Sequence, residues 1–487
     1  MRVWPTLLQI LSILAPLRAV ASLPRPDTQQ LLQASRAYSR GSVASEPRKL
    51  PFLPFFSLLA AEGMQSMERA TPKYLDNPDA VLGVALDLQE VGPVSPAFTA
   101  QVLSLVRTLL EDVPGEQAWQ DATAESVTVD VLCGGLTNAL FLATYASSKV
   151  VVRVYGQGTA QYIDRRAENL VFSRLSKAGR GPLFLGRFKN GRLEGYISGT
   201  ALTPDGMGAS DTFPLVAAAT AEMHATTLPE LEEVGWLWRK LDLFFGLAEA
   251  GAAVDGDVDG DGIEKLKQRQ LLQQMRVELD WLQSFLAAQR EAHTGTDTNT
   301  DKDSSGGATG MGRSDAWRRG VRFGLSEALC HNDLLSGNLL RTSDAVVLID
   351  YEYAAYNLRA HELANHLLEH CGFDFDLRNK FPPDSFITAF LRSYCRRVME
   401  IDPAAAFSPS FSEGAGEEEF VQGLQQSVQW LLLAAHLFWG SWSMVQARSS
   451  TIDFDYAGYS RKRFDAYFYH KRMYVSEDPP FPNRSTA

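Results

Sequence analysis

Several features are scarce in this sequence of 487 residues, and each absence narrows the range of functions. The four cysteines form no CxxC pair and show no zinc-ligand spacing, so we expect reduced thiols in a protein that faces the cytosol. Positive charge does not dominate, because the formal net charge is −12, which argues against broad binding of nucleic acid or of an anionic membrane. No internal repeat is found.

Long hydrophobic sequence is also scarce. One uncharged run, Ser427–Val445, is long enough to span a bilayer, but it contains Gln429, His436, Trp439 and Trp442, so we predict a buried helix. A hydrophobic content of 45% and a charged content of 21% are typical of a globular chain. The length predicts two or three domains or lobes.

The first residues resemble a targeting segment. Arg2 precedes a mostly apolar stretch from Val3 to Leu17, small residues follow at Ala19-Val20-Ala21, and residues 22–50 are rich in Ser, Arg and Pro. Targeting, a membrane tether and an inaccurate start codon are all compatible with this pattern. We treat residues 1–70 as a targeting or variable extension and expect the catalytic region to face the cytosol.

Two nearby segments carry an ordered set of polar residues. A predicted loop begins with His331 and Asp333 and continues to Asn338, and the apolar run Val346–Ile349 then ends in Asp350. Phosphoryl transfer from ATP needs one carboxylate to accept the alcohol proton, and an Asn and a second Asp to hold Mg²⁺ against the phosphates. We therefore predict Asp333 as the catalytic base and Asn338 and Asp350 as metal ligands. His331 is expected to hold the loop rather than to act as the base.

The nucleotide should bind at a small sheet that precedes this loop. Gly135, Thr137 and Asn138 lie in a turn between two predicted strands, where backbone N–H groups can contact phosphate. Arg153 ends an apolar strand, which is where a kinase keeps its phosphate-binding cation. Glu168 lies on the apolar side of the following helix, so we predict that it pairs with Arg153.

Aromatic residues near the C-terminus suggest a site for a cation. Trp439 and Trp442 share one face of a predicted helix, and Tyr459 follows twenty residues after Trp439. Aromatic faces attract cations, and Glu369 could add a carboxylate. On spacing alone, two tryptophans at this distance are more often part of a core.

The remaining pattern divides the chain into a sheet-rich part and a helical part. Residues 71–200 combine predicted strands with one helix over about Asp164–Ala178, stopped by Gly179. The predicted strands are Ser126–Leu132, Ala139–Tyr145, Lys149–Val154, Leu183–Phe188 and Leu193–Ile197. Residues 201–475 are mainly helical and 476–487 form a tail. We therefore predict an α+β, protein-kinase-like fold with a small antiparallel-sheet N-lobe and a mainly helical C-lobe.

Three inserts interrupt the helical part, at residues 248–262, 294–312 and 403–419. Their Gly, Asp, Ser, Thr and Ala content predicts solvated loops with little core to bury. The stretch Asp255–Ile263 invites a calcium interpretation, but neither register places the apolar residue and the Glu that an EF-hand needs. An acidic loop is the prediction.

Taken together, these residues resemble the choline/ethanolamine kinase family. The matching stretches are Gly134–Asn138, Val152–Gly156, His331–Asn338, Ile349–Asn357, Ala364–His366, His436–Trp442 and Phe464–Phe468. They are collinear over roughly residues 125–473, outside the inserts. The resemblance implies a protein-kinase-like fold and ATP- and Mg²⁺-dependent phosphorylation of a small amino alcohol, the first step of phospholipid head-group synthesis.

The resemblance also implies roles for individual residues. Asp333 is implied as the catalytic base, Asn338 and Asp350 as metal ligands, and Arg153 with Glu168 as a phosphate-positioning pair. The implied ammonium pocket consists of Tyr353, Glu369, Trp439, Trp442 and Tyr459. This reverses the interpretation of the tryptophans as core residues.

The identity of the alcohol depends on the pocket. Choline has a quaternary ammonium without N–H donors and favours a full aromatic cage, whereas ethanolamine has three N–H donors and gains from carboxylates. Choline kinases add a Tyr shortly after the glutamate, but here Glu369 is followed by His370–Asp374. The segment Ser450–Asp455 is also similar to ethanolamine kinases. Ethanolamine is therefore favoured, with choline, or both, as the alternative.

Two alternatives from other classes stay open. Another small-molecule phosphotransferase of the same fold, such as an antibiotic-modifying one, would share Asp333, Asn338 and Asp350 but lack the paired tryptophans. A non-catalytic scaffold would have lost at least one of those three residues. No nucleic-acid partner is expected, while a homodimer and a membrane tether are left open.

Overall fold

The computed structural model describes residues 75–88, 95–132, 138–156, 158–231, 235–254, 262–294, 314–402, 415–450 and 452–475. Several predictions lie wholly or mainly outside these residues. They are the extension at 1–70, the turn with Gly135 and Thr137, the acidic stretch within 248–262, most of the inserts at 294–312 and 403–419, and the tail at 476–487. The loops predicted from residue 248 and up to residue 419 are wrong at these ends, because residues 248–254 and 415–419 are helical, and alanine in both stretches favours a helix.

A five-stranded antiparallel sheet forms the N-lobe, with its strands in the order β1-β2-β3-β5-β4. The strands are β1 (Thr128–Leu132), β2 (Asn138–Tyr145), β3 (Ser148–Tyr155), β4 (Phe184–Phe188) and β5 (Gly191–Gly195). Alternation buries Phe141, Val150, Val152 and Val154 on one face. That face packs against helix α1 (Pro96–Leu110) in one hydrophobic cluster.

Helix α2 (Arg165–Lys177) lies between β3 and β4 in the chain and begins and ends where its sequence predicts. The side chain of Asp164 accepts hydrogen bonds from the backbone N–H groups of Arg166 and Ala167, which is the usual N-cap arrangement. Gly179 follows the helix with φ of 68°, a conformation that favours glycine. The α2 face with Glu168 is buried, as the spacing predicts.

The C-lobe is mainly helical and contains the larger hydrophobic cluster. Its helices are α3 (Pro204–Met207), α4 (Phe213–His224), α5 (Trp236–Val254), α6 (Gly262–Thr294), α7 (Asp315–Gly324), α8 (Arg359–Glu369), α9 (Leu377–Lys380), α10 (Asp384–Ile401), α11 (Ala415–Ser449) and α12 (Tyr456–Tyr474). The uncharged run Ser427–Val445 lies inside α11 and is almost wholly buried, so the prediction of a buried helix is confirmed. Among the described residues, no helix has both the length and the apolar character needed to cross a membrane.

Helices α7 and α11 approach each other so closely that their backbones touch. A Cβ atom on Gly320 would collide with the backbone carbonyl of Phe420, and one on Gly423 would collide with that of Trp317. Glycine at both positions therefore lets the two helices pack without a layer of side chains between them.

Short strands flank residues 331–338, here called the catalytic loop because Asp333 is its predicted base. β7 (Glu327–Cys330) pairs antiparallel with β10 (Ala355–Leu358), and β8 (Leu339–Arg341) pairs with β9 (Val346–Leu348) and with β6 (Thr200–Ala201). Cys330, the last residue of β7, is the register partner of Ala355, the first residue of β10. The loop after β7 and the segment before β10 are therefore adjacent where they join these strands. The three cysteines among the described residues are buried and free.

Candidate active site

The loop that follows β7 is held by His331. The ring is fully buried, with Nε2 2.8 Å from the carbonyl oxygen of Ile349 and Nδ1 3.3 Å from the backbone nitrogen of Asp333. Burial lowers the pKa of His331, so a neutral ring that donates from Nε2 and accepts at Nδ1 satisfies both contacts. His331 thereby fixes the position of Asp333.

Within the part of the chain that the structure describes, one carboxylate oxygen of Asp333 has no hydrogen-bond partner. Its Oδ2 accepts a hydrogen bond of 3.0 Å from the side-chain amide of Asn338, whereas the buried Oδ1 has no hydrogen-bond donor among the described residues. Burial raises the pKa of Asp333 well above the usual range, and the negative charges of Glu369, Glu352 and Asp350 raise it further. A buried, basic carboxylate with one oxygen open to a donor suits the removal of a proton from an alcohol.

A second group of buried residues supports this loop from the C-lobe. Asn332 has φ of 66°, and its backbone N–H donates to Oε1 of Glu362 at 2.5 Å. Oε2 of Glu362 lies 2.7 Å from Nε2 of His224, whose Nδ1 lies 2.7 Å from the hydroxyl of Tyr394. Sequence analysis missed these three supporting residues, which come from α8, α4 and α10.

Arg153 contacts Asp350 directly. Its Nη1 lies 3.1 Å from Oδ1 of Asp350, and its Nε donates to Oε1 of Glu194 at 2.7 Å. Asp350 itself has φ of 68°, so its carboxylate is presented from a left-handed backbone. Arg153 is directly opposite Arg192 in the β3–β5 pair, and Glu194 lies on the same face two residues later. A carboxylate between two buried cations offsets their repulsion.

The predicted direct pair between Arg153 and Glu168 is wrong, because Arg192 and Glu194 lie between them. Oε1 of Glu168 contacts Arg192 at 2.5 Å, and Oε2 contacts Arg165 at 2.7 Å. Burial by itself would raise the pKa of Glu168, but the guanidinium groups of Arg192, Arg165 and Arg153 lower it to about 2. Glu168 is therefore ionised and linked to Arg153 through β5.

The predicted aromatic residues form one buried group in the C-lobe. The rings of Trp439 and Trp442 are 5.3 Å apart at 78°, and Tyr353 lies 5.8 Å from Trp439. Each indole N–H has a partner, since Trp439 donates to Asn365 at 2.7 Å and Trp442 donates to the Tyr353 hydroxyl at 2.9 Å. These bonds fix the planes of rings that can bind a cation.

Glu369 and Tyr459 are brought together by Arg463, which sequence analysis missed. Nη2 of Arg463 donates to Oε1 of Glu369 at 2.9 Å, and its Nε donates to the Tyr459 hydroxyl at 2.9 Å. The guanidinium lies 4.3 Å from the ring centroid of Phe375. Burial raises the pKa of Glu369, although Arg463 opposes the shift. Arg463 could have been predicted as a pocket residue, because it lies four residues after Tyr459 and therefore on the same face of the helix.

Comparison with known proteins bears on the identity of this site. The family model described as choline/ethanolamine kinase matches residues 129–296 and 325–468, which is more than half of the chain. The chain belongs to this family. Family membership confirms the prediction of a kinase that uses ATP, and it decides against an antibiotic-modifying phosphotransferase.

Individual relatives agree with the family. Human ethanolamine kinase 1 is 29% identical over 71% of this chain and 67% of its own length, and mouse ethanolamine kinase 1 is 30% identical over 70% and 83%. Probable choline kinase 2 of Arabidopsis thaliana is 28% identical over 75% and 91%. Choline kinase of Cryptosporidium parvum has a similar structure, with a TM-score of 0.58 at 21% identity, covering 77% of this chain and 96% of its own. The protein-kinase-like fold is thereby confirmed.

Within this family site, the geometry divides the sequence-predicted residues into two groups. Asp333, Asn338, Asp350 and Arg153 lie around the catalytic loop, with Asn138 and Glu168 connected to them through further charged residues. Tyr353, Trp439, Trp442, Glu369 and Tyr459 lie in the C-lobe pocket. Asp374, the last residue of the segment after Glu369 that lacks the Tyr of choline kinases, is exposed, and its carbonyl accepts a hydrogen bond from Lys462.

Proposed function

We propose that this chain transfers the γ-phosphoryl group of ATP to the hydroxyl of ethanolamine, giving phosphoethanolamine for phosphatidylethanolamine synthesis. The observation that carries the proposal is the place of Asp333 between the two groups of residues. On the pocket side, the side-chain amide of Asn332, the residue before Asp333, donates to the backbone carbonyl of Tyr353 at 2.9 Å, and on the other side Asp333 accepts from Asn338 at 3.0 Å. An amino alcohol whose ammonium is in the pocket would present its hydroxyl to Asp333.

Asp333 would orient that hydroxyl and accept its proton. Its buried Oδ1 accepts no hydrogen bond from any described residue, and Asn338 holds Oδ2 in place. Phosphoryl transfer depends mainly on positioning and on electrostatic stabilisation, so a fixed acceptor beside the hydroxyl is what the protein has to supply. Arg153, with Asn138 and Glu168 behind it, is proposed as the cation that positions the phosphates. Gly135 and Thr137 remain predictions from the sequence.

The donor set at the catalytic loop fits Mg²⁺. Asn338 uses its amide nitrogen for Asp333, which leaves the amide oxygen on the opposite side, and Asp350 adds a carboxylate that is 19% exposed. Mg²⁺ prefers one or two carboxylate or amide oxygens together with phosphate oxygens and water. When bound, the ion would neutralise charge on the ATP phosphates. We therefore propose Asn338 and Asp350 as its protein ligands.

Ethanolamine is favoured over choline by the carboxylate in the pocket. Glu369 can accept hydrogen bonds from an ammonium that carries N–H groups, and choline has none to give. The ethanolamine kinases among the relatives support the same choice. Choline is the second candidate, because Trp439, Trp442 and Tyr353 offer aromatic faces to a quaternary ammonium.

A competition assay on the full chain tests the proposal. Ethanolamine and choline at equal concentration are incubated with Mg²⁺ and ATP, and the two phosphorylated products are quantified, with Asp333→Asn as the inactive control. We expect phosphoethanolamine to predominate. Predominance of phosphocholine would show that the aromatic faces suffice, and ATP binding without transfer to any amino alcohol would favour a scaffold.

A further inference from the structure

The buried charges between the N-lobe and the catalytic loop form a closed path, here called the charge circuit. Its members, in order of contact, are Asp350, Arg153, Glu194, Arg192, Glu168, Arg165 and Glu352. Negative and positive side chains alternate along it. Because Asp350 and Glu352 are two residues apart, the path returns to the segment from which it starts.

Arg165 is the member of the charge circuit that joins helix α2 to two other parts of the fold. Its Nη1 lies 2.7 Å from Oε2 of Glu168 and 3.7 Å from Oε2 of Glu352. Its Nη2 donates to Oδ1 of Asn138 at 3.1 Å, and the amide nitrogen of Asn138 donates to the same Glu352 oxygen at 3.1 Å. One guanidinium thus connects helix α2, the start of β2 and the segment that carries Asp350.

Arg165 differs from the other two arginines of the circuit in its surroundings. The side chain of Arg192 is fully buried and that of Arg153 is 3% exposed, whereas that of Arg165 is 14% exposed. The guanidinium of Arg165 lies 4.3 Å from the ring centroid of Tyr155, which holds its plane against the end of β3. A planar donor group fixed on one face can direct its N–H groups to several acceptors at once.

We propose that Arg165 is a positioning residue that couples helix α2 and the start of β2 to the metal-binding segment Asp350–Glu352. The inference rests on the proposed role of Asp350 as a metal ligand. Through Glu352, Arg165 holds the backbone that presents Asp350, so the divalent cation of the bound nucleotide meets a segment that is already oriented. Groups that orient metal ligands from outside the coordination sphere tune metal affinity.

Equilibrium binding of ADP to the full chain, with and without Mg²⁺, tests this coupling without requiring turnover. In Arg165→Gln, we expect the affinity for ADP with Mg²⁺ to fall about tenfold, while the affinity for ADP in EDTA stays within about twofold. Arg165→Lys keeps the charge but not the planar fork, so part of the Mg²⁺-dependent affinity should return. Arg166→Gln is the matched control, because Arg166 is the next residue of α2 and its side chain is 82% exposed.

Several outcomes would overturn the coupling. If Arg165→Gln loses ADP affinity equally with and without Mg²⁺, Arg165 has only a general structural role. If ADP affinity does not fall in either condition, Arg165 does not position the metal-binding segment. If thermal unfolding shows that Arg165→Gln is not folded, Glu352→Gln replaces it as the test, because it removes the other end of the contact. Glu352→Gln must then show a loss of ADP affinity that is specific to Mg²⁺. A wrong substrate assignment would instead appear only in the competition assay, since ADP binding does not involve the amino alcohol.

Discussion

The two halves of the candidate site consist of different kinds of side chain, charged in one half and mainly aromatic in the other. The nucleotide half consists of alternating charges in the N-lobe and the catalytic loop, where each buried cation has a carboxylate at hydrogen-bond distance. The amino-alcohol half consists of aromatic rings around one ion pair, Glu369 with Arg463. A nucleotide with its metal brings several charges of both signs, whereas an ammonium brings one charge, and each half matches its proposed ligand.

Buried ion pairs and buried aromatic rings also differ in how much they contribute to the stability of the fold. Two charges buried together lose much of their hydration, so an ion pair in the core adds little net stability even though breaking it is costly. Aromatic rings lose little hydration free energy on burial, and they contribute apolar area to the core. Removal of one partner from a buried ion pair should therefore affect both folding and binding, whereas exchange of one aromatic ring for another keeps most of the apolar area and should act chiefly on recognition of the alcohol.

The largest expected effect is at Asp333, where the two halves meet. Asp333→Asn should lower kcat by roughly 10²- to 10⁴-fold, because the hydroxyl loses its proton acceptor. Nucleotide affinity should be nearly unchanged, as measured by equilibrium binding of ADP with Mg²⁺. A variant that retains turnover would remove Asp333 from the role of base.

The raised pKa of Asp333 predicts the sign of two further observations, one on the native chain and one on Asp333→Asn. Since Asp333 accepts a proton only when it is ionised, kcat of the native chain should fall as pH drops through a pKa above the usual range for Asp. As pH rises from the ordinary pKa of Asp through this raised value, the native chain loses folding free energy that the variant with a neutral Asn does not lose. The melting temperature of Asp333→Asn at neutral pH should therefore equal or exceed that of the native chain.

The next largest effect concerns folding and separates buried charges from surface charges. Arg192→Met removes one of the two guanidinium partners of each of the buried carboxylates Glu168 and Glu194, which should cost about 3–5 kcal/mol of unfolding free energy in urea denaturation. Lys177→Met is the matched control, since the Lys177–Asp76 pair is 52% and 59% exposed and its loss should cost less than about 1 kcal/mol. Equal costs at both sites would show that burial of the charges does not decide their effect.

The smallest expected effect tests the aromatic half. Trp442→Phe should raise the KM for the amino alcohol roughly tenfold, because a weaker aromatic face replaces the indole and the bond to Tyr353 is lost, while the KM for ATP stays the same. Trp430→Phe is the control, as Trp430 lies on the same helix, is equally buried and packs instead against Phe285. An effect of similar size in Trp430→Phe would assign the change to core packing.

Prediction from the sequence succeeded where interacting residues are near each other in the chain. Helix α2 was predicted over about 164–178 and spans Arg165–Lys177, since its N-cap Asp164 and the terminating Gly179 are local signals. The residues around Asp333, Asn338 and Asp350 could be found together because short strands connect them. Their catalytic roles remain predictions.

Prediction failed where a partner depends on strand register or helix packing. The sequence gives no direct sign that Arg153 is opposite Arg192, so Glu168 was paired with the wrong cation. The alternation of Arg192 and Glu194 on one face of β5 was the available signal. The support of the catalytic loop by Glu362 likewise joins separate elements, for which spacing along the chain offers no guide.

The contact between α7 and α11 has a consequence for natural variation. Every single-base change in a glycine codon that alters the residue, other than to a stop, introduces a side chain. At Gly320 and Gly423 any side chain meets the backbone of the opposite helix, so neither position has a neutral first step to another amino acid. Because α11 also carries Trp439 and Trp442, an inherited change at this distant crossing would reach the amino-alcohol pocket through the helix that the two regions share.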